Sequence, residues 1–317
     1  MSKSIGISKT RYGFSDYDKI NTSLSEVTIL DSLHGFRSDY TNQILDKFHG
    51  RQAKIWTNWR FKDEVKQKYP NLNLQYDGPG PWWYRLLEYT NTDYNKTFEN
   101  FISTFNGSGG IGRNLLVSAL HKAKWFDPKY SSKNFTFTLD SLDGNIQEFC
   151  AGDEERLYRK FFIEESAEEF YKTPYKFDYT PALHHCDTNR NMEILLPKMN
   201  TSCIQIVGES YSTTYHSWVT EKFLFPVVAK TLWITHGQPG WYQELEDWGF
   251  RKFSIFDYSF DKIQHPIKRV VTMLSMLARF SNLTTNEWHD IYEMERETIE
   301  FNYDHYYSRN FVKAEKL

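Results

Sequence analysis

Two short runs hold the residue types from which a site for a ligand bearing both hydroxyls and phosphates can be assembled. Glu209-Ser210 follows the apolar run Ser202-Cys-Ile-Gln-Ile-Val-Gly208, and Thr220-Glu221-Lys222 opens an expected helix after a loop. Such a ligand needs a carboxylate to accept from its hydroxyls, and a cation with helix-start amides to face its phosphates. Thr220 suits the helix cap, Glu221 the hydroxyls, and Lys222 supplies a point charge. Glu209 and Ser210, ending a strand, would face the same crevice. The bland reading of the triplet is a capping threonine beside a solvated Glu-Lys pair, worth almost nothing energetically.

Other constellations are weaker. Gly107-Ser-Gly-Gly-Ile-Gly112 satisfies G-x-G-x-x-G between an expected strand and an expected helix that begins at Arg113. A dinucleotide fingerprint would place an acidic residue at the end of the next strand about 20 positions on. Here that window holds Asp127-Pro128, in an expected loop, so the turn reads as a backbone approach to a phosphate or sugar, or as a purely structural turn. His184-His-Cys-Asp187 offers four ligand types in a row, but adjacent residues rarely converge on one metal, and no second pair has suitable spacing. Asp31 and His34 follow the first expected strand, Glu26–Leu30, at the end where open α/β sheets place ligands; a turn or N-cap role for Asp31 is the alternative. Gly-x-Ser-x-Gly is absent, which removes support for a hydrolase nucleophile elbow.

The elements that must position these residues follow from periodicity. Glu26–Leu30 and Gln52–Trp56 read as strands with helical spacing over 40–48 between them, which makes one βαβ unit. A charged helix over 61–69 stops at Pro70, and the Gly-Pro run 77–81 is a loop. Strand 98–105, the glycine turn and helix 113–123 follow, then an acidic helical stretch over 152–171. The second half reads as strand 203–207, helix 220–229 with a kink at Pro226, strand 232–235, helix 241–248 capped by Gly249, strand 252–256, and helices over 265–280 and 284–306. Repeated β-α alternation predicts an α/β protein with two parallel-sheet, Rossmann-like lobes and a cleft between them, divided near residue 175.

One stretch resembles a known family. The order strand, Glu209-Ser210, loop, Val219-Thr-Glu-Lys222, Pro226, then Trp233-Ile-Thr-His-Gly-Gln-Pro-Gly240 and Gly249-Phe-Arg-Lys-Phe253 resembles the donor-binding lobe of the family-ten glycosyltransferases, the α-1,3/1,4-fucosyltransferases. It is still more similar to glycosyltransferase-like proteins of large phages and viruses, strongly over 195–270 and more weakly over 101–133, where Asn106 and Arg113 line up. The family's Phe-Glu-Asn-Ser is here Val207-Gly-Glu-Ser210. The resemblance implies a GT-B-like protein with an N-terminal acceptor lobe, 1–174, a C-terminal nucleotide-sugar donor lobe, 175–285, and a terminal helical segment, 286–317, packing back on the lobes. It implies sugar transfer from a nucleotide sugar, such as a GDP- or UDP-sugar, to a hydroxyl of a glycan or other acceptor, with inversion. Trp218 matches an aromatic position that packs by the base. Asp31 and His34 are the candidates for the catalytic base, and Lys222 with Arg113 and Arg190 would stabilise the leaving group. No Asp-x-Asp stands at the end of an expected strand, which agrees with metal independence and no cofactor beyond the co-substrate.

Two alternatives keep part of this reading. One is a phage-type transferase that glycosylates a modified base in DNA, with Lys9, Arg11, Arg37, Lys54 and Arg60 as a basic groove. The other is a carbohydrate-binding protein without chemistry. Lys+Arg 38 against Asp+Glu 41 gives a net charge of −3, which argues against a sequence-independent grip on nucleic acid. No run approaches the roughly 20 apolar residues of a membrane span, and the start lacks a signal peptide's apolar core. The expectation is therefore a cytoplasmic protein, in the host cytoplasm if viral, without a membrane partner. Cys150, Cys186 and Cys203 are too far apart for a disulfide framework or a paired zinc site. The aromatic share is high, with Trp 10, Tyr 21 and Phe 24. Most of these rings are expected in the core, while Trp82-Trp-Tyr84, Trp218 and Trp241-Tyr242 are expected to face the cleft.

Overall fold

A computed structural model describes residues 3–10, 13–15, 26–31, 45–57, 63–76, 89, 95–177, 188–209 and 219–308. The fold is mixed α/β with two separate sheets, and parallel pairing dominates both. The first has the order β2-β1-β3-β4-β5, from β1 (Lys3–Thr10), β2 (Gly13–Ser15), β3 (Glu26–Asp31), β4 (Ala53–Thr57) and β5 (Leu72–Tyr76). Strands β1, β3, β4 and β5 run parallel, and β2 is an antiparallel edge on β1. The expected βαβ unit thus appears as the parallel neighbours β3 and β4, and helix α1 (Asp63–Lys68) leads into β5.

The second sheet is all-parallel, in the order β7-β6-β8-β9, from β6 (Asn100–Asn106), β7 (Ser132–Lys133), β8 (Ser202–Gly208) and β9 (Trp233–His236). This corrects the expected lobe boundary. β6 hydrogen-bonds directly to β8, with Ser103 opposite Gln205, so residues on both sides of 174/175 share one sheet. The break between sheets falls instead between β5 and β6. The pairing is reinforced by a buried hydrogen bond from Ser103 Oγ to Gln205 Oε1 at 2.6 Å. Every residue of β8 and β9 is buried, as expected of strands covered on both faces.

The helices that cover this sheet are α2 (Ile111–Lys122), α3 (Leu139–Phe149), α4 (Asp153–Phe162), α5 (Glu168–Lys172), α6 (Thr188–Asn200), α7 (Leu224–Val228), α8 (Trp241–Asp247), α9 (Pro266–Leu277), α10 (Thr285–Met294) and α11 (Arg296–Ser308). One continuous core joins Ile102, Ile204, Ile206 and Ile234 of the strands to Leu116 of α2, Val228 of α7 and Val270 of α9. Helix α2 packs on α9, and α9 on β9.

Three expected elements take another form. Pro226 lies within the first turn of α7, which follows a single 3-10 turn over Glu221–Phe223, so it does not kink a longer helix; the first turn tolerates proline because its amides need no intrahelical partner. Residues 252–256 are not a strand. Their backbone is bonded by side chains: Phe253 N donates to Tyr258 Oη at 3.1 Å and Ile255 N to Glu295 Oε1 at 3.0 Å. The last helical stretch is divided at Glu295, whose buried carboxylate also accepts from Ser254 Oγ at 2.6 Å. Helix α11 packs on the 219–253 region: Lys230 Nζ meets Glu300 at 2.9 Å and Asn302 holds both backbone groups of Arg251. Its Tyr307 hydroxyl donates to Tyr89 O in the first half of the chain. Gly249 caps α8 in the left-handed conformation, φ 89°.

Candidate functional site

In the second sheet the C-terminal ends of β6, β8 and β9 lie on one edge, where open parallel sheets bind ligands. The register makes a row of three residues there. Gly208 pairs with His236, and since Thr104 pairs with Ile206, Asn106 stands opposite Gly208 on the other side.

Glu209, the next residue, is 1% exposed and fully engaged by the protein. It accepts from Thr220 N at 3.0 Å, Thr220 Oγ1 at 2.7 Å and Trp241 Nε1 at 3.1 Å. Thr220 in turn accepts from Lys222 N at 3.4 Å, the expected cap, and from Lys222 Nζ at 3.2 Å. The Thr-Glu-Lys segment is thereby held against the end of β8. Gly237 permits this, because a Cβ there would come within 2.7 Å of the Trp241 ring. Trp241 therefore occupies space that any side chain at 237 would fill. Lys222 is half-buried.

Arg113 reaches the same edge from α2. It is 3% exposed, and donates through Nε to Gly208 O at 3.1 Å and through Nη1 to Ser108 O and Oγ at 2.9 and 2.6 Å. These bonds tie the glycine-rich turn to the end of β8. The turn is thus placed where a Rossmann-like fold needs it, and the arginine fastens it.

Three charged or titratable groups that the sequence did not single out lie at the end of β9 and beyond it. The His236 ring is 1% exposed, and neither ring nitrogen has a well-formed hydrogen-bond partner. Burial, then the nearby Arg269 guanidinium, pushes its pKa down to about 3, with the backbone of Pro266 acting in the opposite sense; the ring is neutral at pH 7. Burial likewise lowers Arg269 to about 10. Asp261 accepts from Trp241 N at 3.1 Å and Tyr242 N at 3.2 Å, and burial raises its carboxyl to about 6. A signal for His236 exists in the sequence: a histidine closes an apolar strand just before Gly237. Asp261 and Arg269 have none, since they come from a 3-10 turn and a helix interior distant in sequence.

For the remaining expected site residues the structure describes no side chain. Asp31 is the last residue of β3, in the first sheet, and its side chain lies outside those described; so do the side chains of Arg190 in α6 and Glu221. His34, Ser210, Trp218, the 184–187 run and Trp82-Trp-Tyr84 lie outside the described residues, as do Arg11, Arg37 and Arg60 of the suggested basic groove. Trp241 and Tyr242, expected to face a cleft, are core: they are 0% and 2% exposed and pack against Phe223, Trp233 and Tyr258. A second correction concerns Asp-x-Asp. Strand β2 ends at Ser15, directly before Asp16-Tyr17-Asp18, so such a motif does follow a strand, with its own residues outside those described.

An open depression of about 420 Å³ is lined by Gln52–Lys54 and Pro70–Asn73. It sits at the N-terminal ends of β4 and β5, the wrong end of a parallel sheet for the chemistry above. Among the described residues no cluster of His, Cys, Asp and Glu could hold a metal ion, and no helix is long and apolar enough to cross a membrane. No protein-family model and no curated protein matches the chain.

Proposed function

We propose that the protein is a glycosyltransferase that moves a sugar from a nucleotide-sugar donor to a hydroxyl of an acceptor, with the donor held at the C-terminal edge of the second sheet in a GT-B-like arrangement. The observation that carries this reading is the fastening of Thr220-Glu221-Lys222 to the end of β8 through Glu209, beside the Arg113-braced glycine turn. The residue order over 195–270, which resembles the donor lobe of the fucosyltransferase-like enzymes, supports it.

In this reading Lys222 meets the donor diphosphate, and Glu221 the ribose hydroxyls. Glu209 and Arg113, both buried and hydrogen-bonded within the protein, hold the segment and the turn in place. A base from the N-terminal part of the chain, Asp31 or His34, takes the acceptor's proton as its oxygen attacks the anomeric carbon. The bond from that carbon to the diphosphate breaks, and the departing charge is met by Lys222, with Arg190 as a second cation. The reaction inverts the anomeric centre in one displacement.

Calorimetric titration with UDP-glucose and GDP-fucose tests the site. Lys222→Ala weakens donor binding by about 1–3 kcal/mol, the range for a charge-assisted hydrogen bond, with little change in stability. Unchanged affinity in both Lys222→Ala and Glu221→Ala would remove the assignment. Turnover that survives EDTA supports metal independence. Turnover that EDTA abolishes and Mn²⁺ restores would overturn it and make Asp16 and Asp18 the residues to mutate.

A further inference from the structure

The end of the second sheet holds two buried polar side chains that the protein itself leaves unsatisfied. Asn106 is 1% exposed; its amide nitrogen donates to Thr104 Oγ1 at 3.0 Å, and its Oδ1 has no partner. His236 is equally buried; neither ring nitrogen makes a well-formed hydrogen bond, and the nearest backbone acceptor is that of Pro266. The two residues occupy one row with Gly208 between them. Residues level with each other in parallel strands project to the same face. On that face a Cβ at Gly208 would fall 2.6 Å from Asn106 Oδ1 and 3.2 Å from Leu116 of α2. The row is therefore two side chains flanking a position with none. Their backbones are two strand spacings apart, about 9.5 Å.

The donors and acceptors on offer select the ligand. Asn106 presents an acceptor. A neutral imidazole presents one N–H donor and one acceptor nitrogen, and the neighbouring Arg269 disfavours its protonation. Phosphate oxygens carry lone pairs only, and would face the Asn106 oxygen unfavourably. A hydroxyl both donates and accepts, so it can give its hydrogen to Asn106 Oδ1 while accepting from the ring N–H, or give its hydrogen to the ring's acceptor nitrogen. Leaving such groups buried and unsatisfied destabilises the fold, so a partner is expected.

We propose that Asn106 and His236, either side of Gly208, form a hydroxyl-binding position that recognises the transferred sugar of the donor. This rests on the glycosyltransferase reading and adds to it the residues that distinguish a nucleotide sugar from its parent nucleotide.

The test is calorimetric titration of the full chain with UDP, UDP-glucose, GDP and GDP-fucose, in wild type, His236→Phe and Asn106→Ala. The expected result is that one sugar nucleotide binds wild type about tenfold more tightly than its parent diphosphate, the equivalent of about one or two hydrogen bonds. His236→Phe reduces that preference to about twofold or less while affinity for the diphosphate is retained, and Asn106→Ala does the same independently. A preference unchanged in both variants would overturn the proposal and leave the groups to a buried water. Equal loss of affinity for the diphosphate would also overturn it, and would move the hydroxyls to the ribose. A wild type that binds the diphosphate and its sugar form equally would overturn the proposal but spare the donor site. Failure to bind any of the four would remove the glycosyltransferase reading and this proposal together.

Discussion

Strand β8 and its two neighbours end in opposite ways. Glu209, after β8, has a carboxylate that accepts three hydrogen bonds from Thr220 and Trp241, whereas Asn106 and His236, ending β6 and β9, keep polar atoms without partners at the same depth. A charged group that is saturated by its own chain fixes geometry, and a neutral group that is left open is available to a ligand. The residue that looks most reactive in the sequence is thus assigned to architecture, and recognition passes to two uncharged neighbours.

Mutations can break this contrast, and the largest effect is expected on the saturated side. Glu209→Ala strands three buried donors and should cost about 3 kcal/mol or more in urea denaturation, with Glu209→Gln markedly milder because an acceptor remains. Comparable losses in the two variants would show that the carboxylate's hydrogen bonds are not what holds Thr220. Gly208→Ala comes next. Its Cβ would press on Asn106 Oδ1, and a cost of about 1–2 kcal/mol is expected, readable as a drop in Tm. No change would mean that the row is looser than its register implies.

The smallest effect, and a distinctive one, belongs to His236→Phe. Removing two nitrogens that make no well-formed hydrogen bond while keeping a ring should leave stability at pH 7 unchanged or raise it by about 1 kcal/mol. The pH dependence is more telling. The buried ring titrates near 3, whereas an unfolded histidine titrates near 6.5, so between these values the unfolded chain binds the extra proton and wild type loses stability as pH falls. Asp261 acts in the opposite direction: its buried carboxyl, raised to about 6, takes up a proton before an unfolded aspartate does, which favours the folded state on acidification through that range. Thermal melts from pH 7 to 4 should show a shallower acid decline in His236→Phe than in wild type. Parallel curves would contradict a buried neutral histidine.

Most of the second sheet was legible in the sequence because its strands are apolar and short, with turn residues at their ends. The run 203–207 is β8 almost residue for residue, and the glycine turn with Arg113 lies where strand-turn-helix order puts it. What periodicity does not encode is which strands meet. Ser103 and Gln205 pair across a long interval, so a boundary drawn at a proline-rich polar stretch cut one sheet in two. Residues 252–256 have strand composition but are bonded by side chains of Tyr258 and Glu295, a tertiary outcome that local pattern does not reveal. At the site, Glu209 and Thr220 were found from type and spacing. Their mutual bond was not, because a strand-end glutamate reads the same whether it faces a ligand or a threonine.

The β6–β8 pairing has a consequence for the order in which the chain is made. Strands β1, β3, β4 and β5 are all synthesised by residue 76 and can pair as they emerge, whereas β6 is complete at residue 106 and, beyond the two-residue β7, its main partner β8 only at 208. Translation at about 5–20 residues per second leaves β6 exposed on the ribosome for roughly 5–20 s, with an apolar edge and the following helices around it. Closure of this sheet, and with it the joining of the Asn106 and His236 ends, is therefore a late event in biogenesis. Truncation before residue 236 should yield a chain prone to aggregate rather than a stable half-protein.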